Sequence, residues 1–287
     1  MGVGGCHGII SSCYLGNLAL EEVRTSLGLG MGLNISLNLG FFSDLAATRR
    51  LAEERGLGLE VQHFADGQTL DTDWRERVGE IQAALKGFRG FLSMHGPYDG
   101  LDPGAWDSQI RAASRGRYLH AIQIADQLGA KLVVFHTWYN PELRFHGGVP
   151  RWLERRAPVW VDLARVAEKY GITLVLENVW ESTPEPQVAL LDAVSSPHLK
   201  ACLDTGHANM TAATPLGQWI ETLGERLVYV HAHNNRGSAD DHWALGRGTL
   251  DARGVFKALE ARPVPPRVCL EMRNSADQLD SLKFLGK

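Results

Sequence analysis

The sequence predicts a single (β/α)8 barrel, and two regularities support that prediction. Eight apolar runs of strand length alternate with helix-like segments from about residue 31 to the C-terminus, and a closed barrel of this class needs eight strands. Because the carboxyl ends of all barrel strands meet at one face, polar residues at those ends would converge there. Metal-ligating side chains lie at or just beyond the ends of most of these runs: His95, His136, Glu177, Asp204, His207, His231, Asp240, His242 and Glu271.

Each predicted strand is a short run rich in Leu, Val, Ile and Phe. Such a run is typical of a parallel strand that is buried on both faces. The predicted strands are Leu33–Leu39, Leu57–His63, Gly90–His95, Lys131–His136, Thr173–Asn178, Leu199–Asp204, Leu227–His233 and Arg267–Met272.

The segments between the strands have helical patterns with recognisable ends. In the first, Ser43 or Asp44 can cap the start of a helix and Gly56 its end. The segments RYLHAIQIADQLGA and WVDLARVAEKYG place apolar residues at helical spacing and end at Gly129 and Gly171. Each helix leads directly into a strand, as βα repetition requires.

Residues 1 to 30 precede the first predicted strand. We expect them to be an N-terminal extension to a catalytic barrel of residues 31–287, either covering the barrel bottom or lying upstream of a native initiator at Met31. The first twenty residues lack a positively charged region, and Ser, Gly and Asn interrupt their weak apolar character. A secretory signal is therefore not expected.

The composition narrows the class of protein. With 44% hydrophobic and 22% charged residues, the chain has the balance of a soluble globular protein with a large core. The net charge of −4 gives no global attraction to nucleic acid or to anionic membranes, and no run approaches the roughly 18 to 20 apolar residues of a membrane span. Four cysteines in 287 residues do not make a disulfide framework, so we expect a reducing, cytoplasmic location.

Two glutamates suggest a metal centre. Glu177 and Glu271 end the fifth and eighth predicted strands, so both carboxylates can point into one cavity. Buried carboxylates need a compensating partner, and a divalent cation is a natural one. Asp204 and His231 would supply two further ligands, giving a mixed carboxylate and imidazole site that suits Mn, Co, Zn or Mg.

The segments HGPY, FHTW, LENV, LDTGH, VHAHN, DDHWALGRGTLD and LEMRN together resemble the xylose isomerase-like TIM-barrel superfamily. That superfamily contains sugar isomerases and epimerases and also the endonuclease IV class of apurinic endonucleases. The resemblance runs from about Leu33 to the C-terminus. It implies that Glu177, Asp204, His231 and Glu271 match the metal tetrad of the isomerases and epimerases, in which the two glutamates also move protons.

The same resemblance implies a second set of ligands. His95, His136, His207, Asp240 and His242 match the additional residues with which the endonuclease builds a three-zinc cluster. His207 is equally interpretable as a residue that orients Asp204. The segment VHAHNNRGSADDHWALGRGTLD is similar to that of epimerase-like relatives, and the loop GPYDGLDPGAW lacks a clear counterpart to the longer DNA-wedging loop of the endonuclease.

These observations predict a metal-dependent isomerase or epimerase that acts on a sugar or related polyol ketone through an enediolate, with Glu177 and Glu271 as acid and base. The alternative is a zinc-dependent apurinic endonuclease or other phosphodiesterase, which would bind DNA. A third is a barrel that binds a sugar or metal without turnover. The predicted partner is a small sugar, and a homo-oligomer is compatible with the sequence. Candidate substrate contacts are Arg273, Trp138, Trp180 and Glu60.

Overall fold

A computed structural model describes residues 32–40, 44–142 and 147–287 of the chain. These residues form a closed barrel of parallel strands that pair in sequence order, with the last strand returning to the first. The (β/α)8 prediction is therefore confirmed. The strands are β1 Ile35–Leu39, β2 Gly58–Val61, β3 Leu92–His95, β4 Leu132–His136, β5 Thr173–Glu177, β6 Leu199–Asp204, β7 Leu227–Ala232 and β8 Arg267–Leu270.

Each predicted strand contains an observed strand, so the apolar runs located all of these elements. Among the described residues the helices are α1 Leu45–Arg55, α2 Gly67–Asp71, α3 Trp74–Ala84, α4 Ser108–Leu128, α5 Gly148–Tyr170, α6 Glu185–Val194, α7 Thr205–Thr211, α8 Leu216–Leu223, α9 Ala252–Glu260 and α10 Ser275–Phe284, with a 3₁₀ turn at Gly224–Arg226. The predicted extension of residues 1 to 30 lies outside the described residues.

The predicted helix ends are confirmed at their caps. The Asp44 carboxylate accepts a hydrogen bond from the Ala47 amide at 2.9 Å, whereas the alternative cap, Ser43, lies outside the described residues. Gly56, Gly129 and Gly171 end their helices with φ of 63°, 77° and 61°, a left-handed conformation that glycine adopts without steric cost. Helices α4 and α5 begin well before the apolar periodic segments that predicted them, at Ser108 and Gly148.

The alternation of side chains along the strands positions the site. One cluster of buried residues consists of strand residues only: Leu132, Val134, Val175, Cys202, Val228, Tyr229 and Cys269. Because successive strand residues point to opposite faces, the residue two positions after such a residue faces the same side. That residue is His136 after Val134, Glu177 after Val175 and His231 after Tyr229. The strands thus carry metal-ligating side chains at the carboxyl end of the barrel interior.

The structure also bears on the expectations about cysteines and membrane-spanning segments. Cys202 and Cys269 are buried free thiols in β6 and β8, as the predicted strands required. Within the described part of the chain, none of the helices combines the length and apolarity that crossing a membrane demands.

A buried histidine follows β2. His63 is 2% exposed, and burial together with the positive charge of Arg77 lowers its pKa from 6.5 to about 4. The folded protein therefore holds this imidazole neutral under conditions in which an unfolded chain would protonate it. As pH falls from about 6.5 to about 4, the unfolded state binds the proton first, and the folded state loses stability.

We expect the substitution His63→Gln to flatten this part of the pH profile. Glutamine cannot titrate. The loss in the free energy of unfolding between pH 6.5 and pH 4 should therefore be smaller in the variant than in the wild type, by at most about 3 kcal/mol. Urea unfolding of the wild type and the variant at pH 7.5, 6.5, 5.5 and 4.5 measures it. Above pH 7 the two profiles should run parallel, and profiles that stay parallel down to pH 4.5 would contradict the assignment.

Candidate metal centre

The carboxyl ends of the strands bring the predicted ligands into one cluster at the barrel mouth. They divide into three groups that we name by position. The central tetrad contains Glu177, Asp204, His231 and Glu271; the His95 group contains His95, His136 and Glu177; and the rim group contains His207, Asp240 and His242. Glu177 belongs to two of these groups because its carboxylate faces both.

The central tetrad surrounds one imidazole nitrogen. The His231 Nδ1 atom lies 3.2 Å from Glu177 Oε2, 3.2 Å from Glu271 Oε2 and 4.0 Å from Asp204 Oδ2. Its other nitrogen, Nε2, lies 3.1 Å from Glu60 Oε1. Both His231 and Glu60 are completely buried. Glu60, a predicted substrate contact, therefore lies beneath His231 and holds its ring so that Nδ1 faces the three carboxylates.

The His95 group lies beside the central tetrad. His95 Nε2 is 3.4 Å and His136 Nε2 is 3.7 Å from Glu177 Oε2. The Nδ1 atom of His95 is 2.8 Å from the carbonyl oxygen of Gly96, which sets the orientation of the ring. The ring of Tyr98 stacks on His136 with 4.7 Å between centroids. The strand register pairs His136 with Glu177, so β4 and β5 present these two side chains at the same height.

The rim group is built on α7, which follows β6, and on the loop that follows β7. The Nδ1 atoms of His207 and His242 lie 2.9 Å and 2.6 Å from the carbonyl oxygens of Asn178 and Glu271. Their Nε2 atoms are thereby directed toward Asp240 Oδ2, at 3.8 Å and 2.8 Å. His242 has a φ of 52°, which is unusual for a residue other than glycine and is a form of strain that recurs at functional sites.

His233 connects the central tetrad with the rim group. Its Nε2 atom lies 3.2 Å from Asp204 Oδ1 and 3.6 Å from Asp240 Oδ1, and its ring stacks on His242 at 3.9 Å. Of His231 and His233, only His231 lies against both glutamates. His207 has contacts that fit both of its interpretations, as a ligand and as a residue that orients Asp204. Its backbone amide donates to Asp204 at 2.6 Å, and its ring faces Asp240.

The charges in this cluster compensate one another. Burial opposes ionisation of Glu177, but the charged imidazole of His231 and a hydrogen bond with His207 hold the pKa of its carboxyl well below the usual range. Burial likewise disfavours a charged His231, yet Glu271, Glu60 and Glu177 raise its pKa well above 6.5. Burial lowers the pKa of His136 to about 3, although Glu177 opposes this shift. In the absence of a cation, protons on some imidazoles therefore balance the buried carboxylates.

The donor atoms fit a divalent cation. Several buried side-chain atoms that face the cluster lack a hydrogen-bond partner among the described residues, including Glu177 Oε2, Asp204 Oδ2, His231 Nδ1 and Asp240 Oδ1. Leaving buried polar atoms unsatisfied is costly, and a bound cation would satisfy them. Carboxylate oxygens with imidazole nitrogens suit Zn, Mn and Co, and the carboxylates also suit Mg. His95, His136 and Glu177 are one of several sets whose donor atoms are close enough to hold an ion.

The remaining predicted residues lie around the mouth. The Arg273 guanidinium is exposed and donates to the carbonyl oxygen of Asp240 at 2.8 Å. Trp138 lies 5.3 Å from His136 and 5.3 Å from Trp180, measured between ring centroids. Trp180 is 45% exposed, so its indole is available to a ligand. The two tryptophans therefore form a wall on the side of the His95 group.

Two residues that support the site, Glu181 and Gln62, were not among the predicted ones. Glu181 is fully buried and accepts hydrogen bonds from the amides of Val179 at 2.7 Å and Trp180 at 3.0 Å and from the Thr137 hydroxyl. Gln62 donates to Glu271 at 2.5 Å. In the sequence Glu181 is a polar position in a loop and Gln62 is a polar position near the end of the predicted strand Leu57–His63, and neither pattern indicates a role at the site. Only the fold reveals that they fix the Trp180 loop and the Glu271 carboxylate.

We expect the substitution Gly206→Ala to disrupt the cluster. A Cβ atom at position 206 would overlap the imidazole of His233 and displace it from Asp204. Overpacking of this kind lowers the free energy of unfolding by roughly 1–3 kcal/mol, and divalent-metal affinity should fall with it. Urea unfolding and metal titration measure the two effects.

The substitution Gly217→Ala is the matched control, because a Cβ atom there meets no atom within 4 Å. Its free energy of unfolding should stay within about 1 kcal/mol of the wild type. Equal behaviour of the two variants would contradict the proposed packing of His233 against Gly206.

Comparisons with known proteins agree with this architecture. A family model described as xylose isomerase-like TIM barrel matches residues 50–287. An uncharacterized protein of Methanocaldococcus jannaschii, MJ1311, is 29% identical over 202 residues, which cover 68% of this chain and 68% of the relative. The solved structure of the TTHB071 protein of Thermus thermophilus, soaked with ZnCl2, has a TM-score of 0.70 and 28% identity, and the match covers 89% of this chain and 97% of that one.

A D-tagatose 3-epimerase-like protein superposes with a TM-score of 0.74 at 23% identity, covering 88% of this chain and 96% of its own. The structure of D-allulose 3-epimerase from Methylomonas sp. in complex with D-allulose has a TM-score of 0.69 and 19% identity, and the match covers 90% of this chain and 98% of that one. At these identities the likeness shows the fold. Because the family model matches most of the sequence, the chain belongs to the xylose isomerase-like TIM-barrel family, as the sequence motifs indicated.

Proposed function

We propose that this protein is a divalent-metal-dependent isomerase or epimerase that acts on a sugar or a related polyol ketone. The arrangement of Glu177 and Glu271 carries the proposal, because both carboxylates lie 3.2 Å from the same nitrogen of His231. Two carboxylates at the ends of different strands thus meet at one imidazole, where they can hold a cation and exchange protons with a substrate bound to it. General acid–base chemistry at a carbon next to a carbonyl needs this pair of groups.

The same cluster of side chains would bind the cation and transfer protons. Glu177, Asp204, His231 and Glu271 would hold the cation, which when bound polarises a carbonyl and stabilises negative charge on the adjacent oxygens. One glutamate removes the proton from the carbon beside the carbonyl. The other returns a proton from the opposite face in epimerisation, or assists transfer between adjacent carbons in isomerisation. Gln62 holds Glu271 by a hydrogen bond, and Glu60 fixes the ring of His231.

The environment of the site and the relatives support sugar chemistry. Trp138 and Trp180 provide indole faces beside His136, and such faces suit the C–H side of a sugar ring. Structures of the same fold include D-tagatose 3-epimerase-like protein, D-allulose 3-epimerase and 3-keto-D-glucoside 4-epimerase. The proposed partner is accordingly a small sugar, the proposed cofactor Mn, Zn, Co or Mg, and the proposed location the cytoplasm.

A zinc-dependent phosphodiesterase of the apurinic endonuclease type is the second candidate. The rim group favours it, because His207, Asp240 and His242 form a further ligand set outside the central tetrad. Two or more zinc ions can together stabilise the attacking and leaving oxygens of a phosphodiester. Such an enzyme also needs free cationic side chains for phosphate contacts. Arg236, near the rim group, is instead paired with Asp241 at 2.5 Å.

We expect Glu177→Gln and Glu271→Gln each to lower the rate of ketose isomerisation or epimerisation by roughly 10² to 10⁴-fold, because each removes a group that moves a proton. A chromatographic screen of ketoses with manganese- or cobalt-loaded protein measures this rate. Glu168→Gln, an exposed carboxylate on α5, is the control and should leave the rate unchanged. Full activity in either glutamine variant would rule out the assigned roles.

A parallel assay with abasic duplex DNA distinguishes the other candidate functions. Cleavage of this DNA would favour the phosphodiesterase, and inactivity in both assays would favour a barrel that binds without turnover.

For the isomerase or epimerase we expect close to one tightly bound divalent ion per chain after chelation and reloading. Asp204→Asn should abolish this binding, because the carboxylate belongs to the central tetrad, while His242→Ala should retain it. Elemental analysis of gel-filtered protein measures the stoichiometry. Two or three zinc ions per chain, with the excess lost in His242→Ala, would instead support the phosphodiesterase.

A further inference from the structure

A cavity of about 250 Å³ lies beside the metal centre and includes none of its ligands. It is formed by the loops after β3, β4 and β5 and by the first turns of α5. Four indoles contribute to its walls: Trp106, Trp138, Trp152 and Trp180. Trp106 and Trp180 are 62% and 45% exposed, which is unusual for such large apolar side chains unless a ligand or partner covers them.

Trp138 joins this cavity to the metal centre. Its indole contacts His136 on one side and Trp180 on the other, with 5.3 Å between centroids in each case. Its backbone has a φ of 52°, a costly conformation for a residue that is not glycine. The Trp152 indole donates to the Trp138 carbonyl oxygen at 3.4 Å and thereby helps to hold this strained turn. A ligand in the cavity would therefore lie next to a molecule bound at the metal centre.

The charged side chains of the cavity are held largely by neighbouring groups of the protein. Arg156 is paired with Asp102 at 2.7 Å, and Arg155 donates to the carbonyl oxygens of Gly104 and Ala105 at 2.8 Å and 2.6 Å. Arg151 faces Glu154 at 3.6 Å. The guanidinium groups of Arg151 and Arg155 also lie over the Trp106 ring, 4.9 Å and 4.2 Å from its centroid. The described part of the lining therefore combines indole faces with fixed hydrogen-bonding groups, a combination that suits a hydroxylated ring.

Polar groups are also present at the cavity walls. Asp102 and Asn140 both line it with planar side chains, and such groups bind the hydroxyls of a sugar while indole faces bind its C–H surfaces. Asp102 accepts a hydrogen bond from the Gly104 amide at 2.8 Å and Asn140 accepts one from the Glu142 amide at 2.8 Å, so both side chains are held in place. A ring with many hydroxyl groups matches both parts of the wall.

We propose that this cavity, the Trp106 cavity, binds a glycosyl ring that is attached to the ketose whose carbons react at the metal centre. The inference rests on the proposed function and narrows its substrate class to glycosylated ketoses. The reacting unit would lie over the central tetrad, and its glycosyl substituent would cross Trp138 and stack in the Trp106 cavity. A cavity of this volume suits one ring rather than a longer chain.

The test compares free ketoses with glycosyl ketoses on the manganese-loaded protein. Calorimetry gives the Kd of D-fructose and D-tagatose and of the fructose disaccharides lactulose, turanose and isomaltulose, while chromatography follows their turnover. We expect at least one disaccharide to bind about ten-fold or more tightly than fructose. Trp106→Ala, at an exposed position, should remove this gain and leave fructose binding unchanged. Trp74→Ala, an indole outside the cavity, is the control and should retain the gain.

The outcomes separate the two proposals. Turnover of free ketoses with no preference for disaccharides, or a preference that survives Trp106→Ala, overturns the glycosyl subsite and leaves the proposed function intact. Disaccharide binding that depends on Trp106, without turnover of any sugar, supports the subsite and overturns the isomerase or epimerase activity. Absence of binding and turnover for every sugar tested overturns both.

Discussion

The burial of several carboxylates at one end of a closed barrel is the constraint on which the rest of the site depends. Glu60 and Asp204 are fully buried, and Glu177 is 1% exposed. Ionised groups removed from water need charge and hydrogen-bond partners to remain there. Histidines supply both at this site, and their placement explains why so many of the histidines of the chain are concentrated at the barrel mouth.

Four of those histidines are oriented in a similar way. In His95, His207 and His242 one ring nitrogen lies against a backbone carbonyl oxygen and the other faces a carboxylate. In His231 the carboxylate of Glu60 takes the place of the carbonyl. Fixing one nitrogen in this way determines which nitrogen is available for a metal and costs no rearrangement when the metal enters. The backbone of the barrel mouth therefore prepares the site before any ligand is present.

The sequence was sufficient to predict the barrel and most of the cluster, because both depend on local pattern. A buried parallel strand is apolar along its length, and the polar residue at its end is conspicuous, as Glu177 is after LVL. Residues whose role depends on distant contacts could not be predicted in this way. His233 acquires its role from Gly206, which has room for no side chain of its own, and Glu60 acquires its role from His231 on the far side of the barrel. The Trp106 cavity likewise combines three loops and a helix whose mutual distances no sequence spacing encodes.

The shared carboxylate of Glu177 links the number of bound cations to the chemistry. Its Oε2 atom faces His95, His136 and His231, while its Oε1 atom lies 3.2 Å from His207. A cation held by the central tetrad or by the His95 group would compete with a proton for this carboxylate, and each further cation would lower its basicity. Proton transfer by Glu177 is therefore favoured when the His95 group faces substrate rather than a second cation. The stacking of Tyr98 on His136 and the neighbouring wall of Trp138 and Trp180 place apolar, ring-binding surfaces against that same group, an arrangement that is more useful to a sugar lying over His95 and His136 than to a metal cluster closed around them.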